Sequence, residues 1–454
     1  MSKSKQPEKA SLYAKRQKIY TKVIKGQSHH FRLIVALLVY GTFFTLPWIN
    51  WGDRPAVYFD LVARQFHIFG FNFWPQDFMF LAWTLIIAAF SLFLFTTVAG
   101  RLWCGYACPQ TMWTLLFMWI EQKIEGKPHQ RKRLDDGPLT AEKVIKKVSK
   151  HIIWLLIAFE TGITFVSYFY PVRQLLPDLM ALDLPLTAVV WIGIFTYLTY
   201  IDAAWLREQV CIYMCPYARF QSVMYDKDTL LVSYDASIGE PRHSVKDDSK
   251  DGACIDCHLC VQVCPTGIDI RDGQQISCIN CGLCLDACAE VMESIGRPAN
   301  LIKFTTLNQL EGEKPLHIIR PKTIAYTLIL TIMVSLLGYN LLNRKSLETS
   351  ILRDREHIYT VIDADTTAND YLLKMANKSQ LNQNYHIQIL TSGYALEGDG
   401  KVSIPAGELL EKNIRVIATK PGIGSQIIKM QITSDVDNQV HSHFETRFIY
   451  PPKS

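Results

Sequence analysis

No cysteine occurs beyond Cys288, so the remainder of the chain can be neither a thiol site nor a disulfide-stapled domain. That stretch also lacks histidines at metal-ligand spacing. Charge is sparse for 454 residues: Asp, Glu, Lys and Arg make up 20%, with a formal net charge of +5. This balance is no argument for nucleic-acid binding, and local basic runs read as lipid-facing topology signals. A cleavable leader is also missing: the first thirty residues are too hydrophilic and no small-residue cleavage site follows a short apolar core, so the first apolar run reads as a retained anchor.

What is present is length and apolar runs. The chain exceeds one domain by the usual size prior. Phe31 to Trp51, Phe78 to Gly100, His151 to Tyr170, Leu186 to Leu206 and Thr323 to Leu342 each suffice to cross a bilayer, which needs about twenty mainly apolar residues. The tail before the first span carries nine Lys/Arg counting Arg32 at its edge, the loop Gly52 to Asp77 two, Glu121 to Lys150 nine, and Pro171 to Pro185 only Arg173. Positive loops stay inside. The tail, the second loop and Arg207 to Lys322 are therefore expected in the cytoplasm, and the segment after the fifth span outside.

Eight of the twelve cysteines form two runs, Cys254-x2-Cys257-x2-Cys260-x3-Cys264-Pro and Cys278-x2-Cys281-x2-Cys284-x3-Cys288. A cubane needs four thiolates from several directions; a C-x2-C-x2-C turn supplies three, and the fourth Cys of each run reaches the other cluster. This assigns Cys254, Cys257, Cys260 and Cys288 to one 4Fe–4S cluster and Cys278, Cys281, Cys284 and Cys264 to a second. Structural zinc favours two separated C-x2-C hooks and is set aside. Cys254-Ile-Asp-Cys257-His258 matches a haem attachment motif, but the following cysteines continue the ferredoxin spacing. Asp256 and His258 read as solvated neighbours of a cluster.

The other four cysteines repeat one pattern: Arg101-Leu-Trp-Cys104-Gly-Tyr-Ala-Cys108-Pro109 after the second span and Arg207-Glu-Gln-Val-Cys211-Ile-Tyr-Met-Cys215-Pro216 after the fourth. Residues four apart share a helix face, and Pro turns the preceding Cys away from helical geometry. Buried cysteines are commonly inert packing, but the same spacing, proline and depth occurring twice argue for a site, either for a thiophilic metal such as Cu(I) or zinc, or for a redox dithiol couple. Met112 and Met214 are candidate thioether ligands. Glu160, an acid inside the third span, is either a proton or quinone group or is bonded to Thr161 or Thr164. Asp202 is expected to snorkel or pair with Arg207, and His29 and His30 to lie solvated at the interface. Thr111 to Ile120 reads as an interfacial or partly re-entrant helix, and Tyr217 to Tyr225 as the lead into the ferredoxin insert. From about Ser350, short alternating runs such as Tyr385 to Leu390, Lys401 to Ile404, Asn413 to Ala418, Ser425 to Ile432 and His443 to Ile449, broken at Glu397-Gly-Asp-Gly400 and Pro421-Gly-Ile-Gly424, predict an antiparallel sandwich with a docking role.

With these residues in hand, the chain resembles the FixG/CcoG family of membrane-bound polyferredoxins, accessory proteins of cbb3-type cytochrome c oxidase assembly. The expected architecture is multidomain: a basic cytoplasmic tail (1–30), a four-span α-helical membrane domain (31–210), a cytoplasmic α+β dicluster ferredoxin domain (211–322), a fifth transmembrane helix (323–342) and a periplasmic all-β Ig-like sandwich (343–454), in a bacterial inner membrane. The resemblance implies a cupric reductase: an unidentified cytosolic electron donor, two 4Fe–4S clusters, copper as substrate or bound ion near Cys104, Cys108, Cys211 and Cys215, and a copper chaperone or oxidase assembly factor as recipient. No nucleic-acid partner is expected, and a homo-oligomer is compatible with the sequence. Two alternatives stand beside it: a quinol-oxidising subunit resembling those of nitrate respiration, against which the exported sandwich argues, and an assembly scaffold whose clusters are only structural.

Overall fold

The computed structural model describes residues 18–52, 54–243, 252–312, 315–344, 346–354, 357–363, 366–379, 381–420, 422–434 and 440–451. The first seventeen residues of the expected tail, and Pro421 of the second turn signal, lie outside the described residues. Among the described residues, five helices are long and apolar enough to cross a membrane: Gln27–Trp48, Pro75–Ala99, Ala141–Val166, Leu186–Leu206 and Pro321–Leu342. The chain divides into two compact units, Met1–Trp48 with Leu85–Ile332, and Ile49–Thr84 with Met333–Ser454.

The helices of the first unit are α1 (Gln27–Thr45), α2 (Phe78–Ala99, whose residues to Thr84 count with the second unit), α3 (Leu102–Tyr106), α4 (Pro109–Glu125), α5 (Pro128–Asp136), α6 (Ala141–Val166), α7 (Val172–Ala181), α8 (Leu186–Tyr200) and α9 (Pro216–Met224). Helix α6 begins ten residues before the expected His151, capped by Thr140, whose hydroxyl accepts the Lys143 N–H at 3.2 Å. Its lysine-rich first turns are helical because Lys147 and Lys150 reach Glu125 at 2.9 and 2.7 Å. It stops at Val166 rather than Tyr170, since Ser167 turns its hydroxyl to the Thr164 carbonyl and Pro171 disfavours helix before it. Gly162 lets α6 meet α8 closely: a Cβ there would stand 2.8 Å from the Ile192 carbonyl oxygen. Beyond α8 the chain widens into two π-helical turns, Ile201–Leu206 and Val210–Met214, before Pro216 starts α9.

Residues 211–322, expected as a domain of their own, belong to the same compact unit as these helices. Their strands Leu231–Tyr234 and Ile302–Thr305 pair antiparallel, Leu231 opposite Thr305, and frame the helices Leu259–Gln262 and Leu283–Ser294 that carry cysteines. The described part of the tail is also built in. Lys22 donates its N–H to the Gln262 carbonyl at 2.9 Å, and Ile24 is buried with Val263, Ile279 and Leu283.

The second unit contains a sandwich of two antiparallel sheets. One runs Tyr394–Leu396, Leu409–Ala418, Thr367–Asn377, Leu347–Arg353; the other runs Lys401–Ile404, Gln383–Ile389, Ser425–Ser434, Val440–Ile449. Leu373, Met375, Ile404, Val416, Ile428, Met430, Ile432 and Phe448 fill the space between them. Five of the strands match the expected runs. Thr367–Asn377 was not anticipated, because its Asn369-Asp370 pair disfavours strand; Asn369 is accommodated by a reciprocal pair of hydrogen bonds with the Ile449 backbone, at 2.9 and 3.0 Å. The Ile49–Thr84 segment, expected as part of the membrane domain, contributes a three-stranded sheet (Val57–Asp60, Gln65–Ile68, Phe71–Phe73) to this unit.

Candidate functional site

The two ferredoxin runs fold as copies of one loop. In the first, Asp256 (φ 50°) and His258 (φ 57°) flank Cys257; in the second, Asn280 (φ 59°) and Gly282 (φ 74°) flank Cys281. Left-handed residues on either side of the middle cysteine curl the backbone so that successive N–H groups face one centre, a concavity suited to an anion. Asp, Asn and Gly are the residues that tolerate this conformation best. Each loop feeds a short helix, and the fourth cysteine of each run is carried to the opposite centre. One cavity is lined by Cys254, Cys257, Cys260 and Cys288, a second by Cys264, Cys278, Cys281 and Cys284 together with Cys260. The grouping is the one expected from the spacing, and Cys260 stands between the two centres.

The remaining walls are mainly apolar, with Tyr234, His258 and Arg271 the exceptions at the first centre and Thr266 at the second. Burial pushes the Cys260 thiol up to about 11 and those of Cys278 and Cys288 up to about 12. Buried thiolates therefore require compensating positive charge, which iron provides. These residues fit 4Fe–4S clusters. Cys257, Asp256 and His258 are exposed, so the first centre lies at a solvent edge, whereas Cys281 is buried. Arg271, which the sequence analysis did not single out, closes that edge: its buried guanidinium bonds Asp269, Asp256 (2.5 Å) and His258 Nδ1 (2.8 Å). Asp256 and His258 are thus solvated, as expected, but held.

The repeated C-x3-C-P elements also fold alike. Cys108 (φ −66°, ψ 126°) and Cys215 (φ −78°, ψ 109°) are extended N-cap residues, with Pro109 and Pro216 opening α4 and α9. Cys104 sits in α3 and Cys211 in the second π turn. The two elements clasp each other. Arg101 donates to the Ala218 carbonyl on α9, while Arg207 donates to Glu121 on α4 at 2.9 Å. Gln110 reaches the Arg207 carbonyl at 3.2 Å, and the Cys104 thiol donates to Gln221 at 3.2 Å. Burial first, and then the neighbouring Cys108, Cys211 and Cys215, push the Cys104 thiol up to about 12; burial first, and then Cys108 and Cys215, push Cys211 up to about 12 as well. Among the described residues no three His, Cys, Asp or Glu side chains close round a point that would hold a single metal ion.

The first dithiol leans on the second ferredoxin loop. A Cβ on Gly105 would lie 2.7 Å from the Ile279 carbonyl oxygen and 3.0 Å from the Cys281 Cα. Cys104 packs against the same group as Cys281 and Cys284. The corresponding position in the second repeat is Ile212; that difference was the available signal for Gly105. The first span is anchored here too, because the Asp286 carboxylate accepts the Ser28 and His29 N–H groups at 3.2 and 2.9 Å, capping α1.

Several expected candidates fall away from the site. Met112 is fully buried and Met214 exposed, so they do not converge. Glu160 lies on the exposed face of α6, whereas Thr161 and Thr164 are buried and Thr161 takes the Trp113 indole N–H at 3.3 Å. Arg207 pairs with Glu121 instead of Asp202. His30 bonds the Gly26 carbonyl at 2.6 Å.

Family models match three regions: a 4Fe–4S dicluster domain at residues 206–307, a 4Fe–4S binding domain at 81–128, and the Ig-like fold at the C-terminus of FixG at 337–451. The chain is 39% identical over 408 residues to the nitrogen fixation protein FixG of Rhizobium meliloti, covering 81% of this chain and 78% of that one. It is 37% identical over 433 residues to protein RdxB of Cereibacter sphaeroides, covering 90% and 91%, and 36% identical over 426 residues to RdxA of the same organism, again covering 90% and 91%. With five apolar helices, paired cluster-binding loops and the Ig-like C-terminal sandwich in one chain, the protein belongs to the FixG family of multi-pass membrane iron–sulfur electron-transfer proteins.

Proposed function

We propose that this electron-transfer protein reduces Cu(II) to Cu(I) for the copper site of a cbb3-type oxidase. Cys254, Cys257, Cys260 and Cys288, and Cys264, Cys278, Cys281 and Cys284, hold the two clusters, which supply one-electron chemistry. The exposed Cys257 edge receives electrons from a cytosolic donor, and Cys260 lines both cavities. The observation that carries the proposal is the packing of Gly105 and Cys104 on the Cys281 loop, which joins the inner centre to the four membrane-surface thiols. Cu(II) meets its electron there; one electron per copper balances, and soft thiolates favour the Cu(I) product. The Lys/Arg bias of the loops supports a cytoplasmic ferredoxin lobe and a periplasmic sandwich, with a copper chaperone or assembly factor taking the product.

The test is anaerobic single-turnover reduction of Cu(II) by pre-reduced, detergent-purified protein, followed by cluster reoxidation and a Cu(I) chelator. A variant with Ser at Cys104, Cys108, Cys211 and Cys215 runs alongside. Stoichiometric Cu(I) from the parent and its loss in the variant are expected. Equal rates in both overturn the thiol route, and no Cu(I) in either overturns copper as acceptor.

A further inference from the structure

We propose that Cys104, Cys108, Cys211 and Cys215 together hold a third 4Fe–4S cluster at the junction of the two repeated elements. This rests on the chain being an iron–sulfur electron carrier and deepens the copper reading: the four thiols then hold iron rather than copper, and the cluster they carry passes the electron on to Cu(II).

The matched 4Fe–4S binding region, residues 81–128, contains only two cysteines, Cys104 and Cys108. A cubane takes four thiolates. The fold supplies the missing pair from the second copy of the same element. The Cys104 thiol bonds Gln221 on α9, the helix that Cys215 caps, at 3.2 Å, and Gln110, two residues past Cys108, reaches the Arg207 carbonyl at 3.2 Å, so the two pairs are brought together. The four do not close on a single ion, and the eight ferredoxin cysteines share that property. A thiol set too open for a bare ion is what a cubane requires, since each sulfur binds a different iron.

The local structure suits an anion of that kind. Cys108 caps α4, seventeen residues long, and Cys215 caps α9, nine residues long. Each helix start offers free N–H groups and the positive end of its dipole, and a cubane with four thiolates carries net negative charge. Arg101, buried with 2% of its surface exposed, adds a cation beside Cys104 and Cys211. Gln221 is fully buried, with its amide on the Cys104 sulfur and on Thr96 at 3.3 Å. The oxygen and nitrogen of that amide are interchangeable by assignment, and turned over it donates an N–H to a thiolate. The Arg101, Gln110 and Gln221 bonds across the two elements hold the four sulfurs in one rigid frame, whereas a dithiol couple would need room to close and open. The third centre then follows directly on the second, through Gly105 and Cys281.

Iron and acid-labile sulfide are counted per chain on the full-length protein purified anaerobically in detergent and reconstituted with iron and sulfide. Spins are integrated by EPR after dithionite reduction. About twelve irons per chain are expected in the parent and about eight in the Cys108→Ser, Cys215→Ser double variant, with the two ferredoxin signals unchanged. On the unmutated protein, alkylation followed by mass spectrometry reads the same site without depending on a variant's folding: the four cysteines are expected to be protected until acid releases the iron. About eight irons in the parent, or free alkylation of these four cysteines, overturns the third cluster. Copper turnover separates the two proposals. A full iron count without Cu(I) formation sinks copper reduction and leaves the cluster standing; a low iron count with Cu(I) formation lost on thiol substitution does the reverse.

Discussion

Gly105 and Cys281 touch through their backbones: the space a Cβ would take on Gly105 is occupied by the Ile279 carbonyl and the Cys281 Cα. One element packed at the membrane surface is thereby seated on the loop that carries the inner cluster cysteines. Gly105→Ala forces these backbones apart. Such overpacking costs about 1–3 kcal/mol, read as a lowered Tm in detergent. Cluster reoxidation by Cu(II) is expected to slow while iron content stays at the parent value. An unchanged reoxidation rate would show that electrons do not leave by this contact.

Glu121, on α4, is tied to four other segments of the chain. Its buried carboxylate pairs with Arg207 and Lys18 at 2.9 Å and Lys150 at 3.6 Å, and lies 3.7 Å from Arg131. Burial alone would raise its pKa, but Arg207, Lys18 and Lys150 outweigh it and hold the group at about 2, below the ordinary 4.5. A depressed native value means that the stabilisation is complete above about pH 4.5 and is lost as the pH falls toward about 2. Glu121→Gln leaves buried cations without their counter-charge and is expected to cost about 3–5 kcal/mol. Thermal unfolding between pH 7 and pH 3 checks both statements: the parent loses stability on acidification, and the variant lacks this part of the loss.

Arg271 places a buried cation beside Cys260, with Asp269 and Asp256 as its partners. Reduction adds negative charge to a cluster, so a nearby cation favours the reduced state. Arg271→Gln should lower the potential of the solvent-edge cluster, by roughly 59 mV if the redox equilibrium moves tenfold for one electron. An EPR-monitored redox titration measures the shift, and a rise in potential would contradict this assignment of Arg271.

Asp286 caps α1 from within the cysteine-bearing helix Leu283–Ser294, and Gly26 leaves the space for it. Asp286→Ala removes both bonds and the charge that complements the helix dipole. A loss of about 0.5–2 kcal/mol is expected. Limited proteolysis between Lys18 and Gly26 should become faster, because the docked tail loses its anchor; a cleavage rate equal to the parent's would mean that the tail is held by its other contacts alone.

Local rules decided a good deal in advance. Thiolate chemistry demands the C-x2-C-x2-C-x3-C spacing, so the cysteine grouping at each centre was legible before folding. The five spans followed from apolar length, to within a few residues except at α6, whose lysine-rich start is helical only because Glu125 and Asp135 lie opposite. Alternation exposed five strands of the sandwich and missed Thr367–Asn377, where side-chain bonds across the sheets override low strand propensity. The duplication of C-x3-C-P was visible as a repeat, but not that its copies clasp each other, nor that the first rests on the Cys281 loop. Those relationships join residues far apart in the chain, Arg101 with Ala218 across 117 positions and Gly105 with Cys281 across 176, and no local pattern encodes which distant backbone a glycine approaches. Periodicity and ligand chemistry act within a few residues and so are written in the sequence; close packing and charge pairing act through space, and only the folded chain settles them.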